Sequence, residues 1–250
     1  MTRFALGSFA LAAAVLAPLA ACVNDDADAP MVILRNVVPT SGCVIDPENA
    51  VFITSGRIQS TLDEGRFSSG YLFTPSVRND LVLFEGELAT PKTIFLRNAR
   101  VLIDFADPTL FTAEELAAFQ ERGLTRFMVP LSGSLEPGGG TVGLAFEIVP
   151  RQLLDAIGAK LTGVETALLD VQVQITGKRA GGDAESNIFH YPVEVCLSCL
   201  DNFVGECASL PEGFQPSTGG ACNSAQDVGV DCCTDEVGQL VCPAQPPPGS

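Results

Sequence analysis

The sequence predicts a mainly β protein: an antiparallel β-sandwich of immunoglobulin-like proportions, with two short helices and a disulfide-rich, irregular C-terminal tail. Three observations lead to this prediction. Apolar and polar residues alternate through much of residues 31–195, which is typical of strands with one buried and one solvated face. Stretches rich in Gly and Pro separate the alternating segments, as turns do. Seven of the nine cysteines follow residue 195, in a region without a sustained apolar run.

The strand predictions follow the alternation along the chain. It is clearest in four segments, namely residues 98–105, 141–149, 168–176 and 189–195. In the third segment, every odd-numbered residue from Leu169 to Ile175 is apolar, so all of them share one face of a strand. Five further strands are predicted at residues 31–35, 50–58, 70–77, 81–84 and 124–131. Together with the first four segments, this makes about nine strands. A closed barrel would show the same alternation, so the pattern does not separate a barrel from a sandwich.

Two helices are predicted between these strands. Residues 111–123 open with Thr112 and Glu115, which have the spacing of a capping box, and they stop at Gly123. Residues 149–158 place Pro150 where a first helical turn tolerates proline, and they end near Gly158.

The N-terminus has the parts of an export signal. Arg3 precedes an apolar run at residues 4–17, and small residues follow. The four residues Leu-Ala-Ala-Cys that end at Cys22 resemble the lipobox of bacterial lipoproteins. The resemblance implies cleavage after residue 21, a diacylglyceryl group on Cys22 and, because Val23 rather than Asp follows, a protein anchored at the outer membrane. The periplasmic or surface face stays open. An ordinary cleaved signal with a free Cys22 and an uncleaved anchor are the alternatives.

The domain organisation follows from these segments. Residues 1–21 are the predicted lipoprotein signal peptide, and residues 22–30 are an acidic tether. Residues 31–195 form the predicted sandwich, which is long enough to bury a core without help from disulfides. Residues 196–250 form the cysteine-rich tail, which needs disulfides for its order.

With Cys22 set aside, eight cysteines remain, an even number that predicts a disulfide framework in an oxidising compartment. These candidates are Cys43, Cys196, Cys199, Cys207, Cys222, Cys232, Cys233 and Cys242. If all eight pair within the chain, Cys43 bonds to a cysteine of the tail. The C-x-x-C at Cys196 and Cys199 leaves three interpretations open: a structural disulfide, a thiol redox pair, or half of a zinc site.

The composition of the chain disfavours several classes of function. The chain carries 14 basic and 30 acidic residues, a net charge of −16, which repels nucleic acid. His190 is the single histidine, and alternation predicts that it faces solvent on an edge strand. No metal or cofactor site is predicted, and no set of residues forms a catalytic constellation. We therefore expect a non-enzymatic envelope lipoprotein that binds a protein or ligand, with a thiol oxidoreductase or an unrecognised hydrolase as the alternative.

The lipobox, the strand-rich segment, the Ser-Gly-Cys that ends at Cys43 and the adjacent Cys232 and Cys233 together resemble cysteine-rich lipoproteins of myxobacteria and related Gram-negative bacteria. The resemblance covers most of the chain after Cys22. That family carries no assigned activity, so the resemblance implies a location and an architecture rather than a reaction.

Overall fold

The computed structural model describes residues 29–60, 69–162 and 165–244. These residues form sixteen strands and two α-helices, which confirms the predicted mainly β fold. In chain order the strands are β1 (Met31–Val37), β2 (Phe52–Ile53), β3 (Gly56–Gln59), β4 (Tyr71–Phe73), β5 (Pro75–Asn79), β6 (Ile94–Phe105), β7 (Arg126–Pro130), β8 (Ser134–Leu135), β9 (Thr141–Gly143), β10 (Phe146–Val149), β11 (Thr166–Arg179), β12 (Gly182–Glu185), β13 (Phe189–Cys196), β14 (Asp201–Glu206), β15 (Val230–Thr234) and β16 (Leu240–Val241). The helices are α1 (Ala113–Glu121) and α2 (Arg151–Gly158). Within the described ranges, no helix combines the length and the apolar character needed to cross a bilayer.

One layer is a seven-stranded sheet whose main path runs β3-β13-β11-β6-β7. β12 folds back on β11, and β8 pairs with the start of β6. Neighbouring strands are antiparallel except β13 and β3, which are parallel. The predicted alternation on β11 is confirmed, because four alternate side chains are completely buried: Leu169, Val171, Val173 and Ile175.

The second layer consists of the four-stranded sheet β2-β1-β5-β9 and the pair β10-β4. Only Thr74 separates β4 from β5, so these two small sheets continue into each other. Phe73 of β4 packs across the interior against Phe189 and Tyr191 of β13, with ring centroids 5.8 and 5.2 Å apart. Apolar side chains of both layers form one core, and the arrangement is sandwich-like.

Both helices lie where they were predicted. The Thr112 hydroxyl accepts the N–H of Glu115, and the Glu115 carboxylate accepts the N–H of Thr112, which completes the capping box. Pro150 is the residue before the first turn of α2, one position earlier than expected. α2 then buries three apolar side chains against the core: Leu153, Leu154 and Ile157.

The strand predicted at residues 81–84 is wrong. Side chains satisfy backbone groups there: Lys92 Nζ donates to the Val82 carbonyl at 2.7 Å, and the Phe84 N–H donates to the Glu87 carboxylate at 3.0 Å. Val82 and Phe84 are exposed, so the apolar letters of this segment do not mark a buried face.

Three other predicted strands are each divided between two sheets. Residues 50–58 form β2 and β3, residues 70–77 form β4 and β5, and residues 141–149 form β9 and β10. Gly56 shows what one of these transitions requires. A Cβ atom at this position would lie 2.4 Å from the ring of Tyr71, so the chain can enter the large sheet here only with glycine.

The tail contains more regular structure than expected, since β14, β15 and β16 form a small sheet. The structure pairs all eight cysteines that it describes. The bridges are Cys207–Cys233, Cys232–Cys242, Cys196–Cys199 and Cys43–Cys222. The last bridge joins the tail to the segment after β1, in agreement with the expected partner of Cys43.

The tail also covers one edge of the large sheet. The Gln59 N–H of β3 donates to the Ala225 carbonyl at 3.0 Å, and the Asp227 N–H donates to the Arg57 carbonyl at 2.8 Å. At the opposite edge, β6 is the one partner strand that β7 has among the described residues. The tail therefore covers the β3 edge of this sheet, whereas no described strand covers the outer side of β7.

The bridges differ in the length of chain they close, and this predicts how much each stabilises the fold. Cys43 and Cys222 are 179 positions apart, and Cys196 and Cys199 are 3 apart. In the chain-entropy model these bridges contribute about 5 and about 2 kcal/mol. We expect the Cys43→Ala/Cys222→Ala variant to unfold at a clearly lower denaturant concentration than Cys196→Ala/Cys199→Ala in equilibrium urea titrations. The reverse order would contradict a stabilising link between the tail and the sandwich.

Candidate functional site

A buried hydrogen-bond network joins the two layers and the tail. The hydroxyls of Tyr71 on β4 and Tyr191 on β13 are 2.8 Å apart. Tyr191 accepts from Asn36 Nδ2 at 2.8 Å, and the Tyr71 hydroxyl donates to Asp227 Oδ2 at 2.9 Å. Asp227 Oδ1 accepts the Arg57 N–H at 2.8 Å. The chain of donors runs from Asn36 to the carboxylate, and every member has a partner.

Burial sets the protonation of this network. Loss of solvent raises the pKa of Tyr71 well above its ordinary value, and the neighbouring Asp227 raises it further. Burial is also the main cause that raises the pKa of Tyr191. Burial raises the pKa of Asp227, although hydrogen bonds from Arg57 and Gln226 oppose the increase. Both tyrosines are therefore neutral hydroxyls, and Asp227 holds its proton to a higher pH than a solvated aspartate.

Asp227 also lines an open groove of about 600 Å³ that contains Arg57 and Glu194. Two acids in one groove are a requirement of many hydrolases. Here the Arg57 guanidinium holds Glu194 Oε2 at 2.8 Å, and both oxygens of Asp227 accept hydrogen bonds from within the fold. These partners give the two acids structural roles.

His190 lies on the solvent face of β13, as predicted. Its Nδ1 is 3.0 Å from Asp170 Oδ2, and both side chains are exposed. β13 pairs with β11 at this position, while β3 joins it only from Val193 onward. β13 is thus an interior strand in its C-terminal half. The described hydrogen bonds of His190 lead to Asp170 and not to a nucleophile.

The C-x-x-C pair is a disulfide that follows a strand. Cys196 is buried at the end of β13, and Cys199 lies in the exposed turn before β14. This placement differs from the helix start that redox pairs use. Elsewhere, the possible ligand atoms of Asp201, Cys232 and Cys242 lie within 4.8 Å of one another. The two sulfurs of that group are bonded to each other, whereas a metal requires thiolates.

The predicted lipidation site, Cys22, lies outside the described residues, together with the signal peptide at residues 1–21. The tether is described only at residues 29–30.

A surface that the sequence did not reveal lies along the outer edge of β7. Arg126, Met128 and Pro130 are exposed, whereas Phe127 and Val129 pack against the core. The Ile103 N–H donates to Thr125 O, and the Leu131 N–H donates to Arg97 O. Thr125 and Leu131 thus bond to β6, and in an antiparallel ladder every second residue of a strand does so. The backbone groups of Phe127 and Val129 therefore also point toward β6. The N–H and C=O groups of Arg126 and Met128 therefore point away from the sheet.

Two open grooves flank this edge. On the outer face, a groove of about 530 Å³ has apolar residues Leu102, Met128 and Ile188 together with Arg100 and Arg126. Met128 and Ile188 are 65% and 45% exposed. On the inner side, a groove of about 440 Å³ lies between β7 and the start of α2. An added strand would therefore find space beside β7 for side chains on both faces.

The network predicts that the stability of the folded protein depends on pH because of Asp227. A carboxyl whose pKa is raised in the folded protein binds a proton more tightly there than in the unfolded chain. Its contribution to stability is therefore complete below the ordinary pKa of 3.8 and is lost as the pH rises through the raised value. Asp227→Asn cannot ionise. We expect the stability of this variant relative to wild type to increase from about pH 4 to pH 7, measured by urea unfolding at each pH.

An exposed acid of the tail is the control for that series. Glu236→Gln, in the exposed turn before β16, should keep a constant difference from wild type over the same range. A constant difference for Asp227→Asn as well would contradict the effect of burial on this carboxyl.

Comparisons with known proteins do not supply a function. No protein-family model, no curated protein and no solved structure matches this chain. What the protein does must therefore be inferred from its own residues and their geometry.

Proposed function

We propose that this protein is a non-enzymatic lipoprotein of a bacterial envelope or cell surface that binds a protein partner through the β7 edge of its sandwich. The observation that carries the proposal is the pair of residues Arg126 and Met128, whose outward backbone groups face no strand among the described residues. A partner can add an extended segment to such an edge, gaining affinity from main-chain hydrogen bonds and specificity from alternate side chains. A rigid sandwich is a common support for binding of this kind.

The resemblance of residues 19–22 to a lipobox supports the anchor. Each buried methylene contributes about 0.8 kcal/mol, so the two chains of a diacylglyceryl group on Cys22 hold a protein stably in a membrane. Val23 after the cysteine supports the outer membrane. The net charge of −16 disfavours nucleic acid as a partner.

The enzymatic alternatives have weaker support. A hydrolase would use the groove with Glu194 and Asp227, and both acids already hold partners within the fold. A thiol oxidoreductase would use Cys196 and Cys199, whose bridge follows a strand and has its first sulfur buried. Binding at the β7 edge needs no rearrangement of either site.

The anchor is tested by Cys22→Ser. We expect this variant to lose labelling by a radioactive or clickable fatty acid in cells, and either to stay unprocessed or to leave the membrane fraction. A variant at a disulfide cysteine, Cys199→Ser, should keep the label. Labelling that persists in Cys22→Ser would refute the lipid attachment.

The binding edge is tested by site-specific photo-cross-linking in intact cells. A photoreactive amino acid at Met128 should give a discrete adduct with a partner protein. The same amino acid at Val237, a tail residue that is 78% exposed, controls for general surface contact and should not give that adduct. Equal adducts at both positions, or adducts at Val237 alone, would argue against the β7 edge.

A further inference from the structure

We infer that the β7 edge recognises an extended acidic segment, in which acidic and apolar side chains alternate and which adds to the large sheet as a strand. The inference rests on the proposed function and names the chemistry of the partner. It depends on three features of the described residues: the direction of the β7 backbone groups, the charges on the outer face, and the apolar residues on the inner face.

The backbone defines a short docking register. Arg126 and Met128 each offer an N–H and a C=O, and Pro130 offers a C=O without an N–H. A neighbouring strand can therefore make its paired hydrogen bonds at two residues, with one more acceptor at the end of β7. The partner segment is accordingly short, about five to seven residues.

The outer face beside β7 carries two guanidinium groups without a partner among the described residues. The guanidinium of Arg126 has no hydrogen bond or ion pair with the described residues, and the same is true of the exposed Arg97. Of the acids on this face, Glu185 forms an ion pair with Arg100 at 2.9 Å, whereas Asp104 accepts a hydrogen bond from Gln172 at 3.1 Å and Asp170 lies 3.0 Å from His190 Nδ1. An acidic side chain on an added strand would meet the unpaired Arg126.

Other basic residues lie near this edge, and two of them are already paired. Of the 14 basic residues in the chain, five lie on β6, on β7 or on the adjoining parts of the two helices: Arg97, Arg100, Arg122, Arg126 and Arg151. Arg100 and Arg151 form ion pairs with Glu185 and Asp155, so the charge available to an added strand comes mainly from Arg126 and Arg97.

The inner face of β7 favours apolar side chains on an added strand. Phe127 and Val129 are partly buried and pack on the core. They line the groove beside α2 together with Leu124, Pro150 and the polar residues Glu147, Arg151 and Gln152. Because side chains alternate along a strand, a segment with acids toward Arg126 presents its other residues to the apolar part of this groove. Alternating acidic and apolar residues satisfy both faces at once.

A second copy of this chain fits the edge less well. Two β7 strands paired antiparallel about Met128 would place Arg126 of each copy opposite Pro130, which has no N–H to donate and no charge to pair with the guanidinium. Two chains with a net charge of −16 would also repel each other. The acidic segment is therefore the occupant that the geometry favours.

The experiment uses the full-length protein in detergent micelles and an acetylated, amidated peptide of seven alternating valine and aspartate residues. Fluorescence anisotropy at about 0.15 M salt, where the Debye length is about 8 Å, should detect binding of a labelled peptide, and hydrogen exchange should show slower exchange at the Met128 amide. Arg126→Glu should weaken binding roughly fivefold or more. Lys178→Glu, the same charge change on β11, is the matched control and should leave binding unchanged. A peptide with lysine in place of aspartate should bind more weakly than the acidic one.

The outcomes separate this inference from the proposed function. If the lysine peptide binds as well as the acidic peptide, or Arg126→Glu binds both as wild type does, the acidic preference is wrong while strand addition stands. If neither peptide slows exchange at Met128, strand addition and the proposed function both fail. If the protein sediments as a dimer that Met128→Pro dissociates, the edge belongs to a second copy and the inference is overturned.

Discussion

The relative position of the two layers and the tail depends on one buried chain of hydrogen bonds, from Asn36 through Tyr191 and Tyr71 to Asp227. Each layer and the tail contribute at least one member. A buried polar group that loses its partner costs about 1–3 kcal/mol, so each part holds the others in place. Asn36 extends the constraint, since its side-chain oxygen accepts both the N–H and the hydroxyl of Thr74 where β4 meets β5. The network specifies one packing of the sandwich, a property that apolar contacts alone define less sharply.

The same network decides which edge of the large sheet stays open. Because Asp227 is tied to Tyr71 and to the backbone of Arg57, the tail lies along β3 and satisfies that edge. The main path of the sheet then places β13, β11 and β6 between the covered edge and β7. The disulfides reinforce the covered side, since Cys43–Cys222 joins the tail to the segment that follows β1 of the second layer. The edge that the network and the tail hold, at β3, and the edge available for binding, at β7, thus lie on opposite sides of one sheet.

The parts of the fold that sequence predicts are those with a local cause. A half-buried antiparallel strand imposes a period of two on its own residues, so β11 and β13 were found, and a capping box is complete within four residues at Thr112. The failures have non-local causes. Alternation does not say which sheet a strand joins, and tyrosines 120 positions apart leave no sign that they share a proton network. Asp227 reads as one more solvated acid, and only the strand order shows that β7 is an edge.

An acidic protein that binds an acidic segment needs a physical explanation, and ionic screening provides it. At physiological ionic strength the Debye length is about 8 Å, so exposed acids on distant strands contribute little at β7, where the Arg126 guanidinium has no ion pair among the described residues. Net charge then acts mainly on long-range encounter, which it slows, and on self-association, which it opposes. Pro130 acts in the same direction, because it removes a donor from the edge that a second copy would need. An edge that binds an acidic partner but not a second copy of the same chain requires this combination of free backbone groups, a local cation and an overall negative charge.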